Sequence, residues 1–285
     1  MIKILVTGGN GQLASCIKDL EKLYNKLKFI YTDYQELDIT DLESVDTFFK
    51  NNSFDYCINC AAYTAVDKAE SEIKIAFDVN EIGAKNLAIV CKDFHATLMH
   101  VSTDFVFDGR KSSFYKEEDF VNPISVYGQS KLKGELQISK SLSNHFIFRT
   151  SWLYSEHGNN FMKTMMRLSK EKDELSVVVD QIGTPTYAKD LAQLILQLIS
   201  TKNTQYGLYH YSNEGVASWY DFAKAIFEEI DAEIKLSPIK TTEYPTPAKR
   251  PAFSVLDKSK IKRTFQLEIP HWRDSLRKAL LNYNG

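Results

Sequence analysis

The chain has 285 residues, of which 44% are hydrophobic and 25% charged, and its formal net charge is −2. This composition is ordinary for a globular protein, and so small a net charge offers no electrostatic footprint for nucleic acid or an acidic membrane. No apolar run approaches the roughly 20 residues of a membrane helix. The few cysteines favour reduced thiols, so we expect a cytoplasmic protein with neither nucleic acid nor membrane as a partner.

Short β-rich runs alternate with longer helical patterns in the first half of the chain. Strands are predicted at "IKILV", "KFIYT", "DYCIN" and "TLMHVS", and helices at "GQLASCIKDLEKLY", "DLESVDTFFK" and over residues 71–94. This alternation predicts an α/β fold with a doubly wound parallel sheet. Ligands of such sheets bind beyond the carboxyl ends of the strands.

The second half of the chain has a looser pattern. Asn122 and Pro123 predict the start of a helix that runs through "SVYGQSKLKGELQIS", and "HFIFRT" is the next strand. From about residue 151 the alternation loosens and prolines gather. We therefore expect a nucleotide-binding domain over 1–150 and a smaller lobe over 151–285, with some later segments returning to the first domain.

The stretch "TGGNGQLA" follows the first strand and opens the first helix, as a dinucleotide-binding turn does. Gly8 would allow the tight turn, and Gly11 would let the backbone approach a pyrophosphate at the helix N-terminus. Ala14 stands where a third glycine is common, and it is small enough for close helix packing. A plain glycine turn is the alternative.

Two aspartates follow the second strand. Asp33 lies 22 residues after Gly11, where an acid can accept hydrogen bonds from the adenosine ribose. A carboxylate there repels a 2′-phosphate, which favours NADH over NADPH. Asp38 could lie over the adenine. Either aspartate could instead cap a loop turn.

The stretch "VYGQSK" places Tyr127 one helical turn before Lys131. A lysine ammonium at that distance favours the phenolate, so we expect Lys131 to lower the pKa of Tyr127 and to make it a usable proton donor. Two surface residues that share a helix face are the alternative.

The glycine turn, "VSTDFVFDG" and "VYGQSK" occur in the order found in the extended short-chain dehydrogenase/reductases, which this chain resembles. Within them it is most similar to the dTDP-4-dehydrorhamnose reductase family, through "NCAAYTAVDKAE", "NPISVYGQSKLKGE", "FRTSWLY", "GNNFMKTM", "DQIGTPT", "SWYDFA" and "YPTPAKRP". The resemblance implies a Rossmann-type domain with a smaller C-terminal sugar-nucleotide lobe. It also implies reduction of the C4 keto group of dTDP-4-dehydro-L-rhamnose by NADH or NADPH, a step of dTDP-L-rhamnose synthesis for cell-surface polysaccharide.

The resemblance further implies roles for individual residues. Tyr127 would be the general acid, and Lys131 its electrostatic partner and a holder of the nicotinamide ribose. Thr103 would orient the substrate carbonyl. Asp104, Phe105 and Trp152 fall where the family contacts the sugar. The cofactor-binding positions would be Gly8, Gly11, Gln12, Leu13, Asp33, Asp38, Ile39, Ala62, Tyr63, Thr64, Asn80 and Val101, together with Tyr127 and Lys131.

The chain departs from the family pattern in several places. Tyr63 stands where histidine is frequent, and Phe105 where tyrosine is frequent. Some relatives dimerise through a metal held by carboxylates, but this chain has Cys16 and Lys189 in those regions. We therefore expect no metal, and a monomer or weak homodimer. Candidate ligands of the substrate diphosphate are Lys163, Arg167, Lys249 and Arg250, of which Arg250 is favoured by its proline-held loop.

Four other functions use the same scaffold. A sugar-nucleotide 4,6-dehydratase has a glutamate at the position that Phe105 occupies here. The phenyl ring of Phe105 cannot transfer a proton, which opposes this function. An epimerase would use the same tyrosine and lysine but retain its cofactor. A non-catalytic regulatory subunit of this fold is opposed by the presence of Thr103, Tyr127 and Lys131. A reductase of another nucleotide 4-keto-6-deoxysugar stays open.

Overall fold

The computed structural model describes residues 1–283. Its strands are β1 Ile2–Thr7, β2 Leu27–Thr32, β3 Tyr56–Asn59, β4 Thr97–Thr103, β5 His145–Thr150, β6 Leu153–Tyr154, β7 Glu174–Val178, β8 Ile182–Gly183, β9 Thr186–Tyr187, β10 Gly207–His210, β11 Ala217–Ser218 and β12 Lys235–Ile239. Its helices are α1 Gln12–Leu20, α2 Leu42–Asn52, α3 Val66–Ala69, α4 Ile73–Phe77, α5 Ala84–Asp93, α6 Val126–Ser141, α7 Phe161–Glu171, α8 Ala188–Ser200, α9 Trp219–Glu229, α10 Ser259–Phe265 and α11 Trp272–Asn282. A π-helical turn, Asp78–Gly83, joins α4 to α5, and 3₁₀ turns occur at Glu21–Leu23, Asp104–Val106 and Thr241–Glu243.

Within the described residues, a six-stranded sheet has the order β2-β1-β3-β4-β5-β10. All of its neighbouring strands are parallel. Along β1, Ile4 and Val6 enter the apolar layer on one face, while Leu5 enters the layer on the other. Because both faces are covered, the strands are apolar along nearly their whole length. The predicted doubly wound α/β fold is confirmed.

Helix α6 starts later than the sequence predicts. The predicted start at Asn122 and Pro123 is wrong, because the Asn122 amide donates to the Val106 carbonyl at 2.9 Å and holds this segment against the end of β4. The N-cap is Ser125, whose hydroxyl accepts from the Gly128 amide at 3.2 Å. Tyr127 is therefore the second residue of the helix.

The later part of the chain contributes to both halves of the fold. Strand β10 extends the main sheet beside β5, and α8 shares an apolar cluster with α1. Helices α7, α9 and α11 form a separate apolar cluster with β7. The placing of a boundary at residue 150 stays a prediction. Every helix within residues 1–283 is too short or too polar to cross a membrane.

Candidate active site

A cleft of about 270 Å³ opens at the carboxyl ends of β1, β2 and β3. Six of the predicted cofactor-binding residues line it: Gly8, Gly11, Asp33, Asp38, Ile39 and Ala62. Cys60 and Ala61, whose small side chains let a cofactor pass close to the backbone, also line it, and sequence reasoning missed four other lining residues: Tyr34, Leu37, Thr40 and Val79. Tyr34, Leu37 and Thr40 lie in the segment after β2, so proximity to Asp33 and Asp38 could have indicated them, whereas Val79 lies in the π-helical turn between α4 and α5.

The glycine turn is shaped for a close ligand. Gly8 has a φ of +63°, and a Cβ there would lie 2.7 Å from the Ala61 nitrogen. Gly11 is the N-cap of the nine-residue α1 and offers no side-chain cap, so the first amides of the helix point toward the cleft mouth. Free amides at a helix N-terminus suit an anionic pyrophosphate. The residues present therefore fit a dinucleotide.

Other predicted cofactor residues have local partners. The side-chain Nε2 of Gln12 donates to the Leu153 carbonyl at 3.2 Å. The Leu13 side chain is buried in the core, which leaves the backbone amide of Leu13 for a ligand. The Tyr63 hydroxyl donates to Glu72 at 2.5 Å, and Thr64 is exposed. Their roles toward the cofactor stay predictions.

The two aspartates of the cleft also organise their own loops. Asp33 accepts from the Tyr34 amide at 2.8 Å and from the Asn10 amide at 3.2 Å. Asp38 accepts from the amide and hydroxyl of Thr40 at 2.9 and 2.8 Å. Both carboxylates thus cap turns while lining the cleft, so the two interpretations from sequence are compatible.

Asn80 links the cleft to helix α6. Its side-chain oxygen accepts from the Tyr63 amide at 2.9 Å, and its nitrogen donates to the Tyr63 carbonyl at 3.1 Å and to the Ser130 hydroxyl at 2.9 Å. Opposite it, a Cβ at Gly134 would lie 2.2 Å from the Asn80 carbonyl oxygen. Asn80 therefore fixes the Tyr63 segment relative to the helix that bears Tyr127.

Tyr127 and Thr103 meet where β4 ends. The Thr103 hydroxyl lies near the Tyr127 phenol, and the Phe105 ring packs edge to face on the Tyr127 ring with centroids 5.7 Å apart. Gly128 makes this contact possible, because a Cβ there would lie 2.2 Å from the Phe105 carbonyl oxygen. The glycine inside "VYGQSK" is therefore required by this packing. The alternative that Tyr127 and Lys131 are two surface residues on one helix face is wrong.

Lys131 is buried, with 2% of its surface exposed. Its amine donates to the Val101 carbonyl at 2.6 Å, and its nitrogen lies 3.4 Å from His100 Nε2. Burial lowers the pKa of Lys131 to about 8, against the opposing effects of Glu135 and Cys60.

The expected effect of Lys131 on Tyr127 is not present. Burial raises the pKa of Tyr127 to about 12, the nearby Thr103 hydroxyl opposes this rise, and the Asp104 carboxylate adds to it. The prediction of a lowered pKa is wrong for this structure, because the lysine nitrogen bonds to Val101 and His100 instead. A high pKa keeps the phenol protonated, as a general acid must be before the reaction.

A buried polar network beneath Lys131 was missed from sequence. Glu135, one turn beyond Lys131, accepts from Ser102 at 2.5 Å and from two nitrogens of Arg149, the closer at 2.7 Å. His100 and Ser102 lie two residues apart in β4, so their side chains share one face of the sheet, the face that α6 covers. Two polar residues on one face of an otherwise apolar central strand are a signal that could have indicated this network.

The predicted sugar-binding residues border the catalytic pair. Asp104 is buried, accepts from the Thr103 hydroxyl at 3.1 Å, and has one carboxylate oxygen without a partner among residues 1–283. Burial raises the pKa of Asp104 to about 6. Trp152 has a φ of +46° and stacks on Trp219 with ring centroids 3.6 Å apart. A strained backbone held by stacking is typical of a ligand-binding position.

Arg250 is already engaged. Its guanidinium pairs with Asp67 at 2.8 and 3.0 Å and donates to Thr246 Oγ1 at 2.6 Å. The other candidates for the diphosphate differ: Lys163 donates to the Glu156 carbonyl at 3.3 Å, Arg167 pairs with Glu171, and Lys249 is exposed. A role of any of them toward a substrate stays a prediction.

One group of potential metal ligands lies outside the cleft. Among residues 1–283, Asp19, Glu156 and His157 bring their ligand atoms within 4.8 Å of one another. Lys189 lies 3.6 Å from Glu156 and 4.0 Å from Asp19, so it offsets the carboxylate charge from within the group. Cys16 is buried. That no metal binds stays a prediction.

Comparison with known proteins agrees with this geometry. The family model described as "RmlD substrate binding domain" matches residues 2–284. The dTDP-4-dehydrorhamnose reductase of Aggregatibacter actinomycetemcomitans is 42% identical over 97% of this chain and 98% of its own, and that of Escherichia coli K12 is 39% identical over 98% and 97%.

Solved structures agree as well. The dTDP-4-dehydrorhamnose reductase of Clostridium acetobutylicum is 44% identical with a TM-score of 0.94, covering 98% of both chains. That of Bacillus anthracis, solved in complex with NADP, is 39% identical with a TM-score of 0.95, covering 99% of both. The chain therefore belongs to the RmlD substrate binding domain family, that of the dTDP-4-dehydrorhamnose reductases.

Proposed function

We propose that this chain reduces the C4 keto group of dTDP-4-dehydro-L-rhamnose to form dTDP-L-rhamnose, with NADH or NADPH as reductant. The observation that supports this most is the convergence of Tyr127, Thr103 and Lys131 at the end of β4, beside the glycine-lined cleft. The product would serve the synthesis of cell-surface polysaccharide.

The bound nicotinamide supplies hydride to the carbonyl carbon, and the chain supplies the rest. The Thr103 and Tyr127 hydroxyls donate to the carbonyl oxygen as negative charge develops on it. Tyr127 then transfers its proton to that oxygen, which leaves a phenolate for later reprotonation. Lys131 stabilises the phenolate and holds the cofactor ribose.

The organisation around this site is part of the proposal. Residues 1–150 bind the cofactor, and residues 151–285 mainly bind the sugar nucleotide, with β10 and α8 returning to the first domain. Asp104, Phe105 and Trp152 surround the sugar. We expect a cytoplasmic monomer or weak homodimer that needs no metal.

The test follows oxidation of the reduced nicotinamide by its absorbance, with NADH and NADPH offered separately and dTDP-4-dehydro-L-rhamnose as acceptor. We expect one equivalent of cofactor oxidised for each sugar reduced. In Tyr127→Phe, turnover should fall by about 10²- to 10⁴-fold, while cofactor binding measured by nicotinamide fluorescence stays nearly unchanged.

Two results would contradict the proposal. Product formed without net cofactor oxidation would indicate an epimerase. Turnover of Tyr127→Phe within about threefold of the parent, far short of a general-acid contribution, would remove Tyr127 from the mechanism. Tyr209→Phe is the matched control, because this buried phenol donates to the Gln205 carbonyl away from the site.

A further inference from the structure

Three neighbouring strands present a chain of buried polar side chains beneath Lys131. Thr7 of β1 pairs in register with Asn59 of β3, and Asn59 pairs in register with His100 of β4. Their exposed fractions are 1%, 2% and 1%. Buried polar groups destabilise a fold unless they are hydrogen-bonded, so the direction of each bond in this chain can be worked out.

The Ala61 backbone amide fixes which atom of the Asn59 side chain donates and which accepts. Asn59 Oδ1 accepts from the Ala61 amide at 3.1 Å and from the Thr7 hydroxyl at 2.7 Å. Because a backbone N–H can only donate, the oxygen of the Asn59 side chain must face Ala61. Its nitrogen therefore faces His100 Nδ1, at 3.0 Å, and donates to it.

This bond determines where the His100 proton lies. Burial keeps the pKa of His100 well below its ordinary value, with further lowering by Lys131 and His145, so the ring is neutral. A neutral ring whose Nδ1 accepts a hydrogen bond bears its proton on Nε2. The Nε2–H then points toward the Lys131 nitrogen, 3.4 Å away.

The two charge states of Lys131 respond differently to this donor. An ammonium has three donors and no acceptor, whereas a neutral amine has a lone pair. A neutral Lys131 accepts from His100 and donates to the Val101 carbonyl, which satisfies both contacts. An ammonium would place two donors against each other.

We propose that His100 is a positioning residue for Lys131: its Nε2–H, oriented through Asn59 and Thr7, holds the lysine nitrogen beside the Val101 carbonyl and favours the neutral amine. The other titratable groups that act on Lys131 are Glu135 on α6 and Cys60 after β3. The consequence for catalysis rests on the proposed function: a neutral Lys131 has no positive charge to favour the phenolate, so Tyr127 keeps its proton until hydride transfer. The position and protonation of Lys131 do not rest on it.

The first experiment uses the unaltered protein. Long-range ¹H–¹⁵N spectra of the histidine rings, assigned through backbone correlations, report which nitrogen bears the proton. We expect the Nε2–H tautomer for His100. An Nδ1–H tautomer would overturn the proposal, whatever the activity of the protein.

The second experiment titrates Lys131 by NMR with ¹³Cε-labelled lysine, its resonance identified by loss in Lys131→Met. His100→Gln places an amide oxygen near the position of Nε2, and His100→Asn retains an acceptor for Asn59 but removes the donor to Lys131. Both should raise the pKa of Lys131 by about one unit, a tenfold change in proton affinity. A shift below about 0.3 unit in either folded variant would overturn the proposal.

Activity supplies a further reading with a matched control. In the pH profile of kcat/KM, the limb that reports Lys131 should shift to higher pH in His100→Gln. The shift should equal the change in the pKa of Lys131 measured by NMR. His145→Asn alters another buried histidine, whose Nδ1 lies 2.5 Å from the Leu142 carbonyl oxygen, and should leave that limb in place. If the chain reduces no keto-sugar, the two NMR experiments still decide the role of His100.

Discussion

Arg250 and Asp67 form a two-point ion pair between segments that lie 183 residues apart. Asp67 belongs to α3, which follows the cofactor-side strand β3, and Arg250 belongs to the loop between β12 and α10. The same carboxylate accepts from the Ala248 amide at 3.2 Å. The pair therefore holds the proline-rich loop against the segment that borders the cofactor cleft.

We expect Arg250→Lys to raise the KM for the dTDP-sugar by about tenfold, with the KM for NADPH nearly unchanged. A lysine cannot bond both oxygens of Asp67 together with Thr246, so the loop loses its anchor. Steady-state kinetics measures both constants. Arg277→Lys, at an exposed arginine that pairs with Glu229 and Asp274, is the control. Equal effects of the two substitutions would exclude this role of Arg250.

Asp33 is expected to favour NADH. Its carboxylate lines the cleft, where it would repel a 2′-phosphate. In Asp33→Ala, the ratio of kcat/KM for NADH to that for NADPH should therefore fall, by about fivefold or more for 1 kcal/mol of repulsion removed. An unchanged ratio would leave Asp33 only its turn-capping contacts with Tyr34 and Asn10.

Asp104 should give the pH profile an acidic limb. Its pKa is raised to about 6, so below that pH the carboxyl is protonated and its unpartnered oxygen is a poorer acceptor for a sugar hydroxyl. We expect kcat/KM to fall as the pH drops through about 6. Asp104→Asn should lower kcat/KM and remove this limb. A limb that persists in the variant would belong to another group.

Lys131 should make stability depend on pH. The unfolded chain retains the lysine proton up to the ordinary pKa of 10.5, whereas the native state releases it near 8. Between these values the unfolded state binds more protons, so native stability rises with pH. Relative to Lys131→Met, the parent should gain about 2 kcal/mol between pH values of about 7.5 and 9.5, measured by urea unfolding. Parallel pH dependence in the two proteins would contradict the lowered pKa.

Gly128→Ala should damage both stability and turnover. The new Cβ would meet the Phe105 carbonyl oxygen at 2.2 Å, and backbone cannot move aside as a side chain can. We expect a loss of about 1–3 kcal/mol in the free energy of unfolding, and lower kcat because α6 shifts Tyr127 from Thr103. Gln129→Ala, at the next and exposed position of the helix, should change stability by less than about 0.5 kcal/mol. Similar losses in both variants would contradict the close approach as the cause, because Gln129 has no such contact to lose.

The amino-acid sequence by itself determined the strand and helix alternation, the glycine turn and the order of the motifs. Each of these depends on the chemistry of residues close in sequence: apolar periodicity, the φ that Gly8 adopts, and the one-turn spacing of Tyr127 and Lys131. For that reason the parallel sheet was predictable before any contact was known.

The tertiary structure alone decided which partners the functional side chains have. His100 lies 31 residues from Lys131, and Asp67 lies 183 residues from Arg250, so no local pattern relates them. The pKa of Tyr127 likewise depends on how deeply α6 buries it and on where the Lys131 nitrogen points. Burial and hydrogen-bond direction are set by the packing of α6 on β4, and local propensity does not encode that packing.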